Sequence, residues 1–456
     1  MRVLHVITAL TACGAGQQLR ALLPHLDAEC EVAVLTGPTG PVDPTGPTAA
    51  AAEAGGEGTP VAEGGAEGGA GAAGGSVEEA VAAAVPVHHV GMRGHRDLRA
   101  VRRLARLMRA GRYDVVHTHL YRACVYGRVA AHLVGVPVIV ATEHSLGEER
   151  IDGRRTTPGT RALYRVAEAL GDVTVAVSVA VADRLARWGV PRSRIEVIPN
   201  GIDPLLYRHD PRLRHETRAR LGIPQDVHVV GGVGRLEPGK RFDVLLEAVA
   251  GLDETVLLLA GEGGARWALA ERAQALGIKR RVVFAGASAD VPALLSAVDV
   301  LASPSVEETF GLAAVEGLAA GLPVLYSCCP ALEELPAHAA PGALRVPSDA
   351  GRLRAELRAL AAAGPLRLQP PPAVAHYDIR RHAARTGTLY ERLLREASPA
   401  AIPAPVPAPA LAVLAEPPEP PGARGTAGTV DTVEAMETGK AAEAMEAAES
   451  TGRAQA

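Results

Sequence analysis

Short apolar runs rich in Val, Ile, Leu and Ala punctuate this 456-residue chain, and segments with helical periodicity separate them. In the first half they fall at 2–7, 31–35, 85–90, 114–118, 137–142, 173–177 and 195–198. A second series lies at 227–233, 255–260, 281–285, 298–302 and 323–326. Strands that alternate with helices predict parallel sheets whose connections cross over the sheet face. Pro199-Asn200-Gly201-Ile202-Asp203-Pro204 stands between the two series. The expected fold class is α/β, with two Rossmann-like parallel-sheet domains joined near 200–225 and facing each other across a cleft. The length suits two ordinary domains.

The expected domain limits are 1–204 and 205–374, followed by a helical segment at 375–397. Two stretches belong to neither core. Residues 37–84 are mostly Gly, Ala, Glu, Pro and Thr, and 398–456 pass from a Pro-Ala repeat to an acidic Ala-Glu stretch. Both carry too little apolar surface to offset the entropy of ordering, which predicts a low-complexity insertion and a disordered tail. The formal net charge of −4 supplies no overall basic field and argues against a nucleic-acid partner. Cys13, Cys30, Cys124, Cys328 and Cys329 show neither C-x-x-C nor zinc spacing, which suggests free thiols in a reducing cytosol.

No apolar run approaches the ~18 residues needed to cross a bilayer. The opening MRVLHVITAL runs into a Gly-rich loop rather than a cleavage site. A cytoplasmic protein is the expectation. Arg96, Arg99, Arg102, Arg103, Arg106 and Arg109 share one arc of a helix expected at 97–109, opposite Leu98, Val101, Ala105 and Met108. That face could touch anionic lipid at the inner surface of a membrane, although a solvated face is the commoner use of such an arc.

The chemistry concentrates in loops that follow strands, where open α/β sheets bind ligands. Within 303–316, Glu308 and Glu316 stand eight positions apart around Phe310-Gly311-Leu312. The pattern predicts Glu308 in a strand-to-helix loop and Glu316 just over one turn into a helix at 312–320. Gly234-Arg235-Leu236-Glu237-Pro238-Gly239-Lys240 likewise joins a strand to a helix, so Arg235 and Lys240 can converge on one anion above the helix start. The loop nearly matches G-x-x-x-x-G-K, but Arg241 follows the lysine and the Mg²⁺-binding hydroxyl of a P-loop is missing. Gly14-Ala15-Gly16 gives G-x-G after the first strand, but Leu19 takes the place of the third glycine of a dinucleotide fingerprint. His117 and His119 share one strand face and could begin a metal site, yet no third ligand is evident and no D-x-D pair occurs. Neither a metal nor another cofactor is expected.

Together these motifs resemble the donor-site signature of the retaining, nucleotide-sugar-dependent glycosyltransferases of the two-Rossmann-domain (GT-B) type, family 4. The resemblance spans roughly 1–396 outside the insertion and rests on five motifs in order. It implies that Arg235 and Lys240 bind the donor's diphosphate, that Glu308 holds the donor sugar and that Glu316 holds the ribose. It further assigns to the donor side Gly14 and Gly16 of the glycine-rich turn, Asn200, Gly234, and Gly261 with Glu262. Phe284 and Gly286 would lie beside the nucleobase, with Phe310, Gly311 and Leu312 also at the donor. His119 would face the transferred sugar as a catalytic residue, while Gln17, Glu143 and His144 would line the acceptor side.

The resemblance also implies a C-terminal helix that returns to the N-terminal domain and a front-face reaction with no side-chain nucleophile. Cys328-Cys329 replaces the small, Gly-containing run usual in the family, so the identity of the donor sugar does not carry over. The partners implied are a nucleotide diphosphate sugar and a hydroxyl acceptor on a polysaccharide, a metabolite or a lipid-linked glycan. Two rivals keep the fold: a binding scaffold without turnover, and a GT-B-type epimerase that acts on the sugar nucleotide alone.

Overall fold

The computed structural model describes residues 1–11, 14–36, 77–94, 97–152, 154–287 and 290–397. The first half contributes β1 (Arg2–Ile7), β2 (Glu29–Val34), β3 (Val87–His89), β4 (Val115–His119) and β5 (Val138–Glu143). After the small antiparallel hairpin of β6 (Arg150–Ile151) and β7 (Arg154–Arg155) come β8 (Val173–Ala176) and β9 (Ile195–Val197). The second half supplies β10 (His228–Val233), β11 (Thr255–Ala260), β12 (Val282–Gly286), β13 (Val300–Ser303), β14 (Val324–Tyr326) and β15 (Ala343–Arg345).

These form a seven-stranded sheet in the order β3-β2-β1-β4-β5-β8-β9 and a six-stranded sheet in the order β12-β11-β10-β13-β14-β15. Every pairing in both is parallel. Strand order therefore reverses twice, between β1 and β4 and between β10 and β13, which is where a doubly wound sheet opens a crevice at its carboxyl edge. The register brings strand ends level: Ile7 stands opposite His119, and His119 opposite Thr142.

Parallel strands are covered on both faces, so they read as continuous apolar runs rather than as alternation. On one face of the first sheet, Val3 and Ile7 pack with Ile379, Ala383, Leu389, Tyr390 and Leu393 of the helix Ile379–Glu396. The C-terminal helix thus lies against the first half of the chain. On the other face, Leu4 and Val6 pack with Ala100, Leu104 and Met108. A further cluster joins the halves, with Tyr164, Leu185 and Trp188 in the same core as Leu258, Phe310, Val315 and Tyr377.

Three features differ from the sequence expectation. The segment expected to be low-complexity up to residue 84 ends in a helix, Val77–Ala82, whose Val77 and Val81 are buried in the first core. An i, i+4 pair of valines suffices to anchor one short helix even in an Ala/Glu background. Residues 37–76 of that insertion and the tail at 398–456 lie outside the described residues. Strand β15, Ala-Leu-Arg, gave no signal because it has no β-branched residue and pairs only with β14 as a sheet edge. The basic helix is Arg99–Gly111, and Leu98 before it is 44 % exposed, outside the buried stripe of Ala100, Val101, Leu104 and Met108. Of its arginines, Arg103 is turned to Asp97 at 2.6 Å, while Arg99, Arg102, Arg106 and Arg109 are exposed. Arg96 lies outside the described residues.

One buried ion pair pins the second sheet to the segment that enters it. Arg218, on the helix Pro211–Arg220, is 0 % exposed and donates to Asp299 Oδ2 at 2.8 Å and to the carbonyl of Ala297 at 2.8 Å. Asp299 Oδ2 also accepts from the Val229 amide at 2.8 Å, and Arg214 reaches Oδ1 at 2.8 Å. Replacing Asp299 with Ala leaves a buried guanidinium without its counter-charge. The expected outcome in urea or guanidinium denaturation is a loss of about 3–5 kcal/mol, with the loops at the carboxyl edge of the second sheet spared in whatever fraction stays folded. A loss below about 1 kcal/mol would mean that the pair is no anchor.

Candidate active site

The loops at the carboxyl edge of the second sheet are knitted by backbone hydrogen bonds. The Gly234 amide donates to the Ala260 carbonyl at 2.9 Å, Leu236 to Glu262 at 2.9 Å, and Gly261 to Gly286 at 2.8 Å. Gly261 has φ of 142°, and a side chain there would run into the Gly234 carbonyl oxygen. Only glycine lets the loops after β10 and β11 touch in this way. Glu262 itself is exposed, and Phe284 lies under the Arg266 guanidinium, 3.6 Å from its ring centre.

After β10, the turn Pro238–Lys240 leads through Arg241, at φ of 54°, into the helix Phe242–Ala250. This loop meets the one after β13. The Val306 amide donates to the Gly239 carbonyl at 3.2 Å, and Lys240 Nζ lies 2.5 Å from Glu308 Oε1. The cation and carboxylate that the sequence assigned to diphosphate and sugar are therefore paired with one another. Arg235 instead turns to Glu237 Oε1 at 2.5 Å and is well exposed. Its charge still reaches the first half. Burial pushes the carboxyl of Asp152, between β6 and β7, above its usual range, and the guanidinium of Arg235 opposes that shift together with that of Arg122.

Glu316 projects from the helix Leu312–Ala319 and accepts a hydrogen bond from the Tyr207 hydroxyl at 2.9 Å. Burial raises its carboxyl to about 7, although the tyrosine bond pulls the other way. Phe310 is buried edge-on against Tyr377, with ring centres 5.0 Å apart, so its side chain belongs to the core. Gly311, at φ of 98°, packs so close to Cys329 that a side chain would strike the sulfur. Leu312 approaches Gly14 of the first half, within 3.6 Å of where a side chain at Gly14 would begin. The turns holding Gly14 and Gly311 thus face each other across the cleft.

The segment between the halves is held from both sides. The Gln18 side chain clamps Gly201, accepting from its amide at 2.9 Å and donating to its carbonyl at 2.5 Å. Gly16 is buried in the helix that carries Gln18, while the neighbouring Gln17 accepts from Arg20 at 2.9 Å. Asn200 is buried, and its side-chain oxygen has no hydrogen-bond partner.

His119 is buried, with Nε2 at 3.1 Å from His5 Nδ1 and Nδ1 at 3.1 Å from His144 Nε2. His117 joins Tyr390 at 2.5 Å and Thr142 at 2.6 Å. Burial holds His5 and His144 near 3 and keeps His117 and His119 well below the usual imidazole value, so all four are neutral at pH 7. His5 is the third imidazole that the sequence did not reveal: nitrogens of His5, His117 and His119 lie within 4.8 Å of one another. An ion at that point would have to break a His117 bond to Thr142 or Tyr390, and no carboxylate belongs to the group to balance its charge. The geometry favours a hydrogen-bonded imidazole cluster. Glu143 faces elsewhere: it is fully buried beside Arg128, Tyr164 and Cys124, and burial raises it to about 7.

Tyr207, Gln18, His5 and Asp152 were not legible as site residues. Each acts on a partner 31 or more positions away, and no local spacing announces such a contact. No helix among the described residues is long and apolar enough to cross a membrane.

Comparison with known proteins matches residues 12–205 to the family described as Glycosyltransferase Family 4 and residues 214–370 to Glycosyl transferases group 1. The D-inositol 3-phosphate glycosyltransferase of Salinispora tropica is 36 % identical over 245 residues, 47 % of this chain and 50 % of that protein. The protein of the same name from Mycobacterium tuberculosis H37Ra is 34 % identical over 228 residues, 47 % of each chain. The chain thus spans about half the length of the curated relatives it matches. Among solved structures, HepE of Anabaena in complex with UDP-glucose has a TM-score of 0.66 at 21 % identity, covering 87 % of this chain and 100 % of that one. The sucrose-phosphate synthase of Thermosynechococcus elongatus gives 0.64 at 20 % identity, again covering 87 % and 100 %. With both halves matched in order on two parallel sheets, the chain belongs to the GT-B glycosyltransferases of family 4.

Proposed function

We propose that this protein transfers a sugar from a nucleotide diphosphate sugar to an acceptor hydroxyl with retention of anomeric configuration. The observation that carries the reading is the 2.5 Å pair between Lys240 Nζ and Glu308 Oε1. It joins a cation and a carboxylate from the two loops that flank the strand-order reversal of the second sheet. A diphosphate entering above the start of the helix Phe242–Ala250 competes for Lys240 and releases Glu308 to accept hydroxyl protons from the sugar. Glu316, steadied by Tyr207, takes the ribose hydroxyls.

In the proposed reaction the bond from the anomeric carbon to the phosphate oxygen breaks. The acceptor oxygen bonds to the same face of that carbon, and its proton passes to the departing phosphate. Negative charge grows on the phosphate as the bond lengthens, so Lys240 and Arg235 stabilise the transition state more than the bound donor. Arg235 must leave Glu237, which costs little because that pair is well exposed. The two cations supply the charge that this step requires, and no metal is called for. HepE was solved with UDP and with UDP-glucose, which makes uridine nucleotides the first donors to test. The names of the curated relatives make a phosphorylated polyol the first acceptor. A nucleotide-sugar panel separates the rivals: transfer releases free nucleoside diphosphate, an epimerase returns an isomerised donor, and a scaffold only binds.

The exposed Arg99, Arg102, Arg106 and Arg109 offer anionic lipid a basic face in a chain with net charge −4. A peripheral contact with the membrane would bring a lipid-linked acceptor to the cleft.

Four experiments test these proposals. Glu316→Gln should weaken nucleoside diphosphate binding about tenfold in calorimetry, the cost of a charge-assisted hydrogen bond. Ribose hydroxyls bind the ionised carboxyl, so wild-type affinity should fall as pH drops from 8 to 6 through the value of about 7, and the variant should lose that dependence. Glu308→Ala should spare or tighten nucleoside diphosphate binding, because Lys240 is set free, while turnover drops on the order of 100-fold; the reverse pattern would mean that the donor lies the other way round. Activity should survive EDTA, and abolition reversed by Mn²⁺ or Mg²⁺ would place the reaction in a metal-dependent class. Vesicles containing phosphatidylglycerol should sediment the protein at low salt and release it at roughly 0.5 M salt, with replacement of Arg102, Arg106 and Arg109 by Ala abolishing the binding. Equal binding to neutral vesicles would remove the lipid proposal.

A further inference from the structure

The loop that carries Glu308 belongs to the second half, yet three consecutive residues of it are tied to the first. Arg184, on the helix Val179–Arg187, is 8 % exposed and spans both sides. Its Nη1 donates to the Leu146 carbonyl at 3.1 Å and to the Glu308 carbonyl at 3.2 Å. Its Nε donates to Glu148 Oε1 at 3.1 Å, and Nη2 lies 3.7 Å from Glu307 Oε1. Glu307 in turn accepts from the Glu148 amide. Beside it, the Ser178 hydroxyl donates to the Thr309 carbonyl at 2.6 Å while accepting from the Val181 amide at 3.1 Å as the cap of the same helix. Thr309 Oγ1 donates to the His144 carbonyl at 2.7 Å.

We propose that Arg184 is a positioning residue for the reaction: its guanidinium fixes the Glu308 main chain to the first half, so that Glu308 meets the donor sugar only when the two halves are engaged. This rests on the transferase reading of the same cleft. Arginine suits the task because its fork is planar, always charged and able to serve several acceptors at once. Within the second half this loop is held by Lys240 at the Glu308 side chain, by the Val306 amide at Gly239, by a backbone hydrogen bond from Glu308 to the Cys328 sulfur and by the Ala331 amide at the Phe310 carbonyl. Among the described residues Lys240 is thus the one hold on the Glu308 side chain. A diphosphate draws Lys240 away, and at that moment the bonds from the first half keep Glu308 in place. His144, which shares the fastening, is assigned to the acceptor side by the family resemblance, and Leu146 stands two positions beyond it. The acceptor-side segment and the donor-sugar carboxylate are thus mechanically linked through Arg184 and through the Thr309 bond to His144.

The test uses the full chain with Arg184→Met, Arg184→Lys and Ser178→Ala. Hydrogen–deuterium exchange of the free protein needs no substrate. In Arg184→Met the amides of 305–310 should exchange on the order of tenfold faster, while those of the helix Phe242–Ala250 stay protected. With the donor found in the panel, kcat should fall on the order of 10- to 100-fold, as expected for a misplaced group, and nucleoside diphosphate affinity should change by less than about threefold. Arg184→Lys should recover part of kcat, and Ser178→Ala, which removes only the Thr309 bond and one cap, should show the same split in milder form. Unchanged exchange at 305–310 together with unchanged kcat overturns the proposal. So does a parallel loss of nucleotide affinity and of protection in the helix Phe242–Ala250, which would mark Arg184 as a general stabiliser. Absence of turnover with every donor would sink the transferase reading alone, and the exchange result would then decide whether Arg184 fixes the loop.

Discussion

Parallel pairing within each large sheet is the constraint from which the rest follows. A parallel strand can only be followed by a crossover, so every strand's carboxyl end opens at the same edge and every helix is thrown onto a face. Where the order reverses, beside β1 and again beside β10, successive crossovers leave in opposite directions and the edge is left uncovered. The Gly14 turn and His119 stand at one reversal, and the loops holding Arg235, Lys240 and Glu308 stand at the other. Chemistry-bearing residues separated by more than two hundred positions meet because two sheets each place their reversal at the cleft.

The halves are not independent bodies that happen to touch. The segment 199–203 between them is clamped by Gln18 from the first half, and Ile202 exchanges backbone bonds with Tyr377 at 2.8 Å and Ile379 at 2.7 Å where the C-terminal helix begins. Tyr377 then packs on Phe310, so the loop after β13, the linking segment and the returning helix share one core. Domain closure in such an arrangement is a shift among a few anchored contacts, which suits a reaction that must exclude water while both substrates are bound.

Electrostatics in the cleft divides along burial. On the first-half side, four imidazoles held out of water are neutral, so they offer hydrogen bonds and no charge. On the second-half side, Lys240 and Glu308 pair at 2.5 Å at a site that still sees solvent. Glu316 sits between these cases, with its carboxyl near 7 because burial outweighs its single bond to Tyr207. The nucleotide diphosphate proposed as ligand would find the cations of Lys240 and Arg235 on one wall and a polar, uncharged surface on the other.

The sequence alone determined the fold class, the places of most strands and the loops that carry the chemistry, because those are local properties. Apolar runs, helical periodicity and glycines after strands are all written within a dozen residues. The positions of Arg235, Lys240 and Glu308 at strand-to-helix turns, and of Glu316 on the helix that follows, come from that alone. Edge strand β15 and the two-residue strands of the hairpin escaped, since neither has enough β-branched residues or length to show a period. Tertiary structure decided everything that depends on pairing across the chain. It set Lys240 against Glu308 rather than leaving both open, turned Phe310 into the core and Glu143 away from the cleft, and added His5 to the histidines of β4. It also fastened Glu307, Glu308 and Thr309 to Arg184, Ser178 and His144, partners between 123 and 165 positions away. Such contacts depend on how two sheets are packed against each other, and no spacing within one segment encodes that.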